Sequence, residues 1–170
     1  MKQQALEQLR ISVLTVSDTR TLDDDGSGKL LAERIVQAGH VLAARALVRD
    51  DRYQIRAQVS QWIAEPDVHA VLITGGTGVT RRDVTVEAIV PLLDKQIEGF
   101  GELFRWLSFQ DIGTSTVQSR ALGGTANGTL IFCLPGSTGA CRLAWDEILV
   151  QQFNAANQPC NFAGLLPRML

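Results

Sequence analysis

The chain has 170 residues, of which 45% are hydrophobic and 20% are charged. This length and composition are typical of one globular domain with a sizeable core, so we expect a single domain over residues 1–170. Sixteen lysines and arginines stand against eighteen aspartates and glutamates, for a net charge of -2. That balance excludes a chain-wide basic field for nucleic acid or an anionic membrane, and we expect neither as a partner.

Cysteines and histidines are too few and too scattered for a disulfide framework or a familiar zinc site. The three cysteines include no C-x-x-C pair, and the only histidines are His40 and His69. These counts do not exclude a metal site with oxygen ligands. Residues 1–10 lack the apolar core of a signal peptide, and no apolar run approaches the roughly 18 residues that span a bilayer. We therefore expect a cytoplasmic protein in a reducing compartment.

The first half of the chain alternates predicted strands and helices. A run rich in β-branched residues predicts a strand buried on both faces at residues 11–17. Apolar runs predict a second strand at residues 41–48 and a short buried strand at residues 70–74. After an acidic loop, Ser27 is the predicted N-cap of a helix that ends at Gly39.

Further helices follow the second and third predicted strands. Asp51 and Gln54 form a capping-box-like pair ahead of an amphipathic helix. Thr85 is the predicted N-cap of a helix that Pro91 should shorten or kink. Residues 101–110 repeat apolar side chains near the helical period and predict one more helix.

The last third of the chain predicts a β-hairpin. Residues 120–124 and 129–134 flank Asn127-Gly128, the two-residue turn typical of hairpins, although residues 124–126 could lengthen the loop. Another helix follows the sequence PGSTG. Strands that alternate with helices predict an α/β fold, with helices on both faces of a mainly parallel sheet and one antiparallel pair.

The most informative local stretch is TGGTG at residues 74–78, directly after the third predicted strand. Its glycines let backbone N–H groups approach a ligand that side chains would obstruct. A tight turn without a ligand explains the same composition. The G-x-G-x-x-G fingerprint is absent, and the GSGK sequence at residues 26–29 lacks the first glycine and the Ser or Thr of a Walker A motif.

Two acids are predicted to share one crevice. Asp50 follows the second strand and Asp83 follows the TGGTG stretch, so both should lie beyond the carboxyl ends of parallel strands. Two carboxylates there suit Mg²⁺, and the neighbouring Arg81 and Arg82 suit a polyphosphate. Taken alone, each of these side chains is also typical of a turn or a solvated surface.

A second anion-binding candidate is the PGSTG run at residues 135–139, at a predicted helix N-terminus. Free N–H groups and the helix dipole favour a phosphate or carboxylate there, although a plain helix cap would look the same. No Ser-His-Asp combination is visible, and His40 and His69 are interpreted as structural or exposed.

Longer sequence blocks resemble the molybdenum-cofactor biosynthesis family of MoaB, MogA and the G domain of gephyrin. These blocks are TGGTGVTRRDVT at residues 74–85, GFGELFR at 99–105 and LPGST at 134–138. VSDTR after the first strand is also family-like. GTSTVQSRALGG at residues 113–124 and PCNF at 159–162 resemble the MoaB branch in particular, so the resemblance spans nearly the whole chain.

The resemblance implies a three-layer α/β/α fold that binds molybdopterin, a tricyclic pyranopterin. Catalytic members of the family transfer AMP from Mg-ATP to the terminal phosphate of molybdopterin and release pyrophosphate. By resemblance, Asp50 and Asp83 are the catalytic acids and the Mg²⁺ ligands. The substrate-binding residues that it implies are Ser17, Asp18, Thr74, Gly75, Gly76, Thr77, Gly78, Glu102, Pro135, Gly136 and Ser137.

Such a reaction needs charge neutralisation and alignment more than a covalent nucleophile, which fits these residues. Lys29, Arg81 and Arg82 are weaker candidates for phosphate contacts. The alternatives are a non-catalytic molybdopterin carrier or scaffold and, third, a nucleotide-only binder. The resemblance also implies a homotrimer or a hexamer of two trimers, with apolar segments such as residues 104–109 available for contacts, and other enzymes of the pathway as partners.

Overall fold

The computed structural model describes residues 6–169. Residues 1–5 and residue 170 lie outside the described residues. The prediction that residues 1–10 are not a signal peptide therefore falls partly outside them. Within residues 6–169, no helix is long and apolar enough to cross a membrane.

A mixed sheet of six strands runs through the described chain, in the spatial order β2-β1-β3-β6-β5-β4. The strands are β1 (Arg10–Val16), β2 (Val41–Val48), β3 (Ala70–Thr74), β4 (Lys95–Ile97), β5 (Leu122–Ala126) and β6 (Thr129–Leu134). β2, β1, β3 and β6 are parallel, and β5 is antiparallel to both β6 and β4. The predicted α/β fold with a mainly parallel sheet and an antiparallel hairpin is confirmed.

Helices cover both faces of this sheet. They are α1 (Gly26–Gln37), α2 (Arg52–Ala64), α3 (Thr85–Ile89), α4 (Glu98–Ile112), α5 (Thr138–Ala144), α6 (Val150–Gln152) and α7 (Phe162–Leu165). A π-helical segment, Trp145–Leu149, joins α5 to α6.

Strand side chains alternate between two hydrophobic cores because successive residues of a strand point to opposite faces. In β3, Leu72 belongs to the core that contains Phe104 and Trp145. Val71 belongs to the opposite core, which contains Trp62 of α2. The central strands are therefore buried on both faces, and only their ends are free for ligands.

The hairpin forms with the two-residue loop. Ala126 pairs with Thr129, and Asn127 and Gly128 take φ values of 48° and 79°, as the primed hairpin turns require. Residues 124–126 do not lengthen the loop, because they pair with β6 along β5.

Two predicted helix caps are wrong, and a third is confirmed. Asp25, not Ser27, caps α1 and accepts a hydrogen bond from the Gly28 amide. Thr85 is the first residue of α3 rather than its cap, and its hydroxyl donates instead to the carbonyl oxygen of Gly75 at 2.8 Å. Asp51 caps α2 through the amides of Tyr53 and Gln54.

Pro91 has the predicted effect on the helix that precedes it. α3 ends at Ile89 and gives way to the 3₁₀ turn Val90–Leu92, since proline cannot donate the next helical hydrogen bond.

Candidate ligand site at the carboxyl edge of the sheet

The loops that follow β1, β2, β3 and β6 meet at one edge, because these strands are parallel neighbours. We call this the carboxyl edge. It includes Asp18 after β1, Asp50 after β2 and Asp83 in the loop after β3. In an open α/β sheet this is where ligands bind, and the sequence-predicted acids lie here.

Asp18 and Asp50 form two reciprocal hydrogen bonds, in which the backbone amide of each residue donates to the carboxylate of the other. The Asp18 amide donates to Oδ2 of Asp50 at 2.9 Å, and the Asp50 amide donates to Oδ1 of Asp18 at 3.1 Å. Two carboxylates are thereby held side by side. Burial raises the pKa of Asp50, and the negative charge of Asp18 raises it further. Asp50 therefore carries its negative charge less favourably than an exposed carboxylate does, although the nearby Arg82 charge acts in the opposite direction.

Arg82 lies on the other side of Asp18. Its Nη2 donates to Oδ2 of Asp18 at 2.6 Å, and this bond, followed by the one from the Asp50 amide, lowers the pKa of Asp18. Arg81 is exposed beside it. Lys29, the third predicted phosphate contact, is an exposed side chain on α1 whose Nζ lies 4.0 Å from Glu33.

Residues 75–83, the glycine loop, leave β3 with two positive φ angles. Gly75 and Gly76 have φ values of 103° and 66°, in the region that favours glycine. A Cβ on Gly75 would lie 2.3 Å from the carbonyl oxygen of Val16. One on Gly76 would lie 2.3 Å from Oγ1 of Thr85 and 3.4 Å from Oδ1 of Asp50. The glycines therefore let the loop pass close to β1 and to the Asp50 carboxylate.

Asp83 closes the glycine loop back on itself. Its Oδ1 accepts from the Gly78 amide at 3.0 Å, and its Oδ2 accepts from the amide and the hydroxyl of Thr80 at 2.8 and 2.6 Å. Burial alone would raise the pKa of Asp83, but these hydrogen bonds outweigh it and hold the pKa below its ordinary value. Asp83 is therefore a carboxylate whose ionised form is favoured and whose two oxygens are both held by hydrogen bonds.

The loop after β6 forms the remaining wall. Ser137 caps α5 and accepts from the Ala140 amide at 3.1 Å. A Cβ on Gly136 would lie 3.3 Å from Cα of Gly75, so the two loops touch through glycine. Oγ1 of Thr74 lies 3.1 Å from the carbonyl oxygen of Pro135 and 3.2 Å from Oγ of Ser27. Ser17 shapes the loop after β1 by accepting from the amides of Thr19 and Arg20.

A pocket of about 250 Å³ opens between the glycine loop and α4. Asp83 and the segment from Pro135 to Ser137 line one side. Phe104 and Ser108 line the other, together with residues of the 3₁₀ segment Gly113–Gln118 that follows α4. A polar cleft with an apolar wall suits a ring system that carries a phosphate.

Glu102 is not brought to this pocket. It is exposed on the first turns of α4 and lines a separate cleft with Gly101, Arg105 and Gly123. The other sequence-predicted site residues lie at the carboxyl edge. They are Ser17, Asp18, Asp50, Thr74, Gly75, Gly76, Thr77, Gly78, Asp83, Pro135, Gly136 and Ser137.

Among residues 6–169, no group of three His, Cys, Asp or Glu side chains is placed to hold a metal ion alone. Carboxylate oxygens such as those of Asp50 and Asp83 are the ligand type that Mg²⁺ takes in proteins, usually one or two at a time.

The sequence analysis did not predict two arginines that hydrogen-bond to the loops of the carboxyl edge. Nη2 of Arg45 donates to Oδ2 of the buried Asp25 and to the carbonyl oxygen of Leu22. The guanidinium of Arg120 donates to the carbonyl oxygens of Gly78 and Asp83. No local pattern marks either residue, because their partners lie at least 20 positions away in the chain.

The fold and this site define a three-layer α/β protein with acidic side chains at the carboxyl edge of its sheet. The family described as a probable molybdopterin-binding domain matches residues 12–155. Molybdenum cofactor biosynthesis protein B of Escherichia coli strain K12 is 57% identical over 153 residues, 90% of each chain.

Solved structures show the same relationship. A crystal structure of molybdenum cofactor biosynthesis protein B superposes with a TM-score of 0.84 at 46% identity, covering 88% of this chain and 94% of that one. The tungsten cofactor synthesizing protein MoaB from Pyrococcus furiosus superposes with a TM-score of 0.77 at 34% identity, covering 85% and 92%. The chain belongs to the MoaB/MogA family and, within it, to the MoaB branch.

Proposed function

We propose that this protein acts in molybdenum cofactor biosynthesis as a molybdopterin adenylyltransferase. A terminal phosphate oxygen of molybdopterin attacks the α-phosphorus of ATP and forms a new P–O bond. The bond from the α-phosphorus to the oxygen shared with the β-phosphorus breaks. Pyrophosphate leaves with that electron pair, and the product is adenylyl-molybdopterin.

The observation that carries the proposal is the arrangement of Asp18, Asp50 and Asp83 around the glycine loop. Like charges held close together weaken a fold unless a bound cation compensates for them, and such perturbed groups cluster at functional sites. Desolvation and the charge of Asp18 raise the pKa of Asp50, and the charge of Asp83 contributes in the same direction. We infer that this edge is built to receive positive charge with its ligand.

Each element of the edge has a role in the proposed reaction. Asp50 and Asp83 would hold Mg²⁺ directly or through water, and Mg²⁺ when bound neutralises phosphate charge. Backbone amides of the glycine loop, and of the loop that leads into α5, would donate to the phosphates. Arg82, already beside Asp18, is available to a phosphate oxygen. The pocket against Phe104 is the proposed place of the pterin.

The test is incubation of the protein with molybdopterin and Mg-ATP, followed by mass analysis of the pterin. We expect AMP-bearing molybdopterin and an equal amount of pyrophosphate. Tight binding of molybdopterin without either product would favour the non-catalytic carrier. Binding of ATP without molybdopterin would favour the nucleotide-only binder.

We also propose that the protein is a homotrimer or a hexamer of two trimers. Phe104 is buried in the core, but Leu103, Trp106, Phe109 and Ile112 form an exposed apolar stripe on α4, with Trp106 62% exposed. A stripe of this size on a helix is typical of a contact surface. A monomeric mass by light scattering at micromolar concentration would overturn the proposal, and a trimer would overturn only its hexameric part. The cytoplasmic location and partners among other enzymes of the pathway stay predictions.

A further inference from the structure

Arg120 makes an unusual set of contacts just before β5. Its Nε donates to the carbonyl oxygen of Gly78 at 2.7 Å, and its Nη2 donates to the carbonyl oxygen of Asp83 at 3.0 Å. Its own amide donates to the carbonyl oxygen of Thr77 at 3.1 Å. One residue therefore binds three carbonyl groups of the glycine loop, near both ends of its Gly78–Asp83 turn.

These contacts decide which way the peptide groups of the loop face. Arg120 donates hydrogen bonds to carbonyl oxygens of the loop. The amides of Gly78 and Thr80 face the Asp83 carboxylate and donate to it at 3.0 and 2.8 Å. Because each peptide is planar, its carbonyl and the following amide point in opposite directions. The carbonyl of Thr77, bound by the Arg120 backbone amide, therefore aims the Gly78 amide. The Arg120 guanidinium anchors Gly78 and Asp83, the donor and acceptor residues of that hydrogen bond, through their own carbonyl oxygens.

Glu87 holds the guanidinium in turn. Nη1 of Arg120 donates to Oε1 of Glu87, and Nη2 donates to Oε2 at 3.3 Å. Glu87 lies in α3, which follows the glycine loop. A two-point contact between a guanidinium and a carboxylate fixes orientation as well as position, and a lysine ammonium cannot reproduce it.

We propose that Arg120, held by Glu87, is a positioning residue that sets the Asp83 carboxylate and the amides of the glycine loop. That Asp83 serves nucleotidyl transfer belongs to the proposed function, on which this part of the inference rests. The placement of the loop itself is measurable without substrate.

The chain offers a matched control in Arg56. Its Nε donates to the carbonyl oxygen of Ala88 at 3.0 Å, and its Nη2 donates to that of Glu87 at 2.8 Å. Arg56 therefore also binds two backbone carbonyls with its guanidinium and also supports α3. None of the contacts that it makes in the described structure involves the glycine loop.

The experiment compares Arg120→Lys with Arg56→Lys by amide hydrogen exchange. Each protein is measured at the temperature that gives all of them the same free energy of unfolding. Losing the charge-assisted bonds of Arg120 should speed exchange at Gly78 and Thr80 by about tenfold or more. Arg56→Lys should leave both amides at their wild-type rates. Unchanged rates in Arg120→Lys, or an equal rise in Arg56→Lys, would overturn the inference. If Arg120→Lys does not fold, Glu87→Gln tests the same link and should speed exchange at the same two amides.

A second readout uses adenylylation. Arg120→Lys should lower kcat by at least about tenfold with little change in the KM for molybdopterin, because a misplaced Asp83 affects the transition state more than ground-state binding. An equal rise in KM with kcat unchanged would contradict the positioning role. Absence of turnover in the wild type would contradict the proposed function, and the exchange experiment would still decide whether Arg120 sets the loop.

Discussion

The amino ends of the parallel strands are held by histidines, whereas the carboxyl ends are held by arginines. At the amino edge, Nδ1 of His40 accepts from the Leu9 amide at 3.2 Å, and Nδ1 of His69 accepts from the Arg10 amide at 2.9 Å. At the carboxyl edge, Arg45 and Arg120 donate to loop carbonyls and to carboxylates.

The difference separates stability from function. Burial lowers the pKa of both histidines. The amino edge therefore uses neutral rings to accept from the amides of Leu9 and Arg10, where β1 begins. The carboxyl edge instead holds Asp18 and Asp50 side by side and uses glycines at positive φ. Only the second arrangement carries features that a fold does not need for itself, and such features mark ligand sites.

The largest effect should come from removing a charge at the carboxyl edge. Asp83→Asn and Asp50→Asn keep side-chain size but remove the negative charge proposed to organise Mg²⁺. We expect adenylylation to fall about 100-fold or more, or about 2.7 kcal/mol in the barrier, by analogy with removing one preorganised electrostatic group. Steady-state kinetics with molybdopterin and Mg-ATP provide the measurement.

Binding separates this loss from a loss of folding. Molybdopterin affinity should fall less than turnover, and both variants should still unfold cooperatively. Asp83→Asn should be the less stable of the two, because the Asp83 carboxylate accepts three hydrogen bonds. Wild-type turnover in both folded variants would show that these acids are assigned wrongly.

The next largest effect should be at the amino edge and on stability alone. His40→Leu removes the ring nitrogen that accepts from the buried Leu9 amide. An unsatisfied buried donor costs about 1–3 kcal/mol of the free energy of unfolding, measured by urea titration. His40→Asn, which can return an acceptor near the same position, should lose less. A large fall in turnover of the folded His40→Leu protein would contradict the view that the amino edge serves stability alone.

A smaller effect should follow from pH. A histidine whose folded pKa is lowered binds its proton more readily when unfolded, so its contribution is present at neutral pH. It is lost as pH falls from the ordinary histidine value of about 6.5 toward the folded value. Asp18, Asp25 and Asp83 have lowered pKa values, so their contributions are lost only in a more acidic window, at and below about pH 4.

The raised pKa of Asp50 acts in the opposite direction, because protonation of Asp50 favours the folded state. A decline of stability from pH 7.5 to 4.5 should therefore report mainly on the amino edge. We expect the decline of stability across this range to shrink in a protein that carries both His40→Asn and His69→Asn. An unchanged decline would show that other groups cause it.

The smallest effect should come from Asp51→Asn. Asp51 lies next to Asp50 but caps α2 through the amides of Tyr53 and Gln54, and asparagine caps helices about as well as aspartate. The free energy of unfolding should change by less than about 0.5 kcal/mol, and turnover should stay at the wild-type level. A loss of turnover comparable to that of Asp50→Asn would mean that negative charge in this loop, rather than Asp50 itself, matters.

The fold was largely predictable because its strongest signals are local. Buried parallel strands such as β3 read as short apolar runs, and Asn127-Gly128 marks the hairpin turn without help from tertiary structure. β4 was missed because three residues, two of them exposed, carry too little pattern to distinguish an edge strand from a loop. The cap prediction at Ser27 was wrong because Asp25, two positions earlier, caps the helix and accepts from the Ser27 hydroxyl. At Thr85 the carbonyl oxygen of Gly75 accepts from the hydroxyl group instead.

The site divides in the same way. Asp50 and Asp83 were predictable because the carboxyl ends of parallel strands meet whatever the rest of the chain does. The bonds between the backbones and carboxylates of Asp18 and Asp50 depend on loop geometry. The supporting role of Arg120 depends on a contact across 42 residues. Neither leaves a periodic trace in the sequence.

The central claim is that the carboxyl edge transfers AMP to molybdopterin, and ³¹P NMR of one reaction tests it directly. With molybdopterin, Mg-ATP and the wild-type protein, the account predicts a new phosphoanhydride signal and a free pyrophosphate signal that grow together. Both signals should be absent when molybdopterin is omitted. In Asp83→Asn both signals should grow much more slowly. A wild-type protein that binds molybdopterin tightly while the signals of ATP stay intact would contradict the claim.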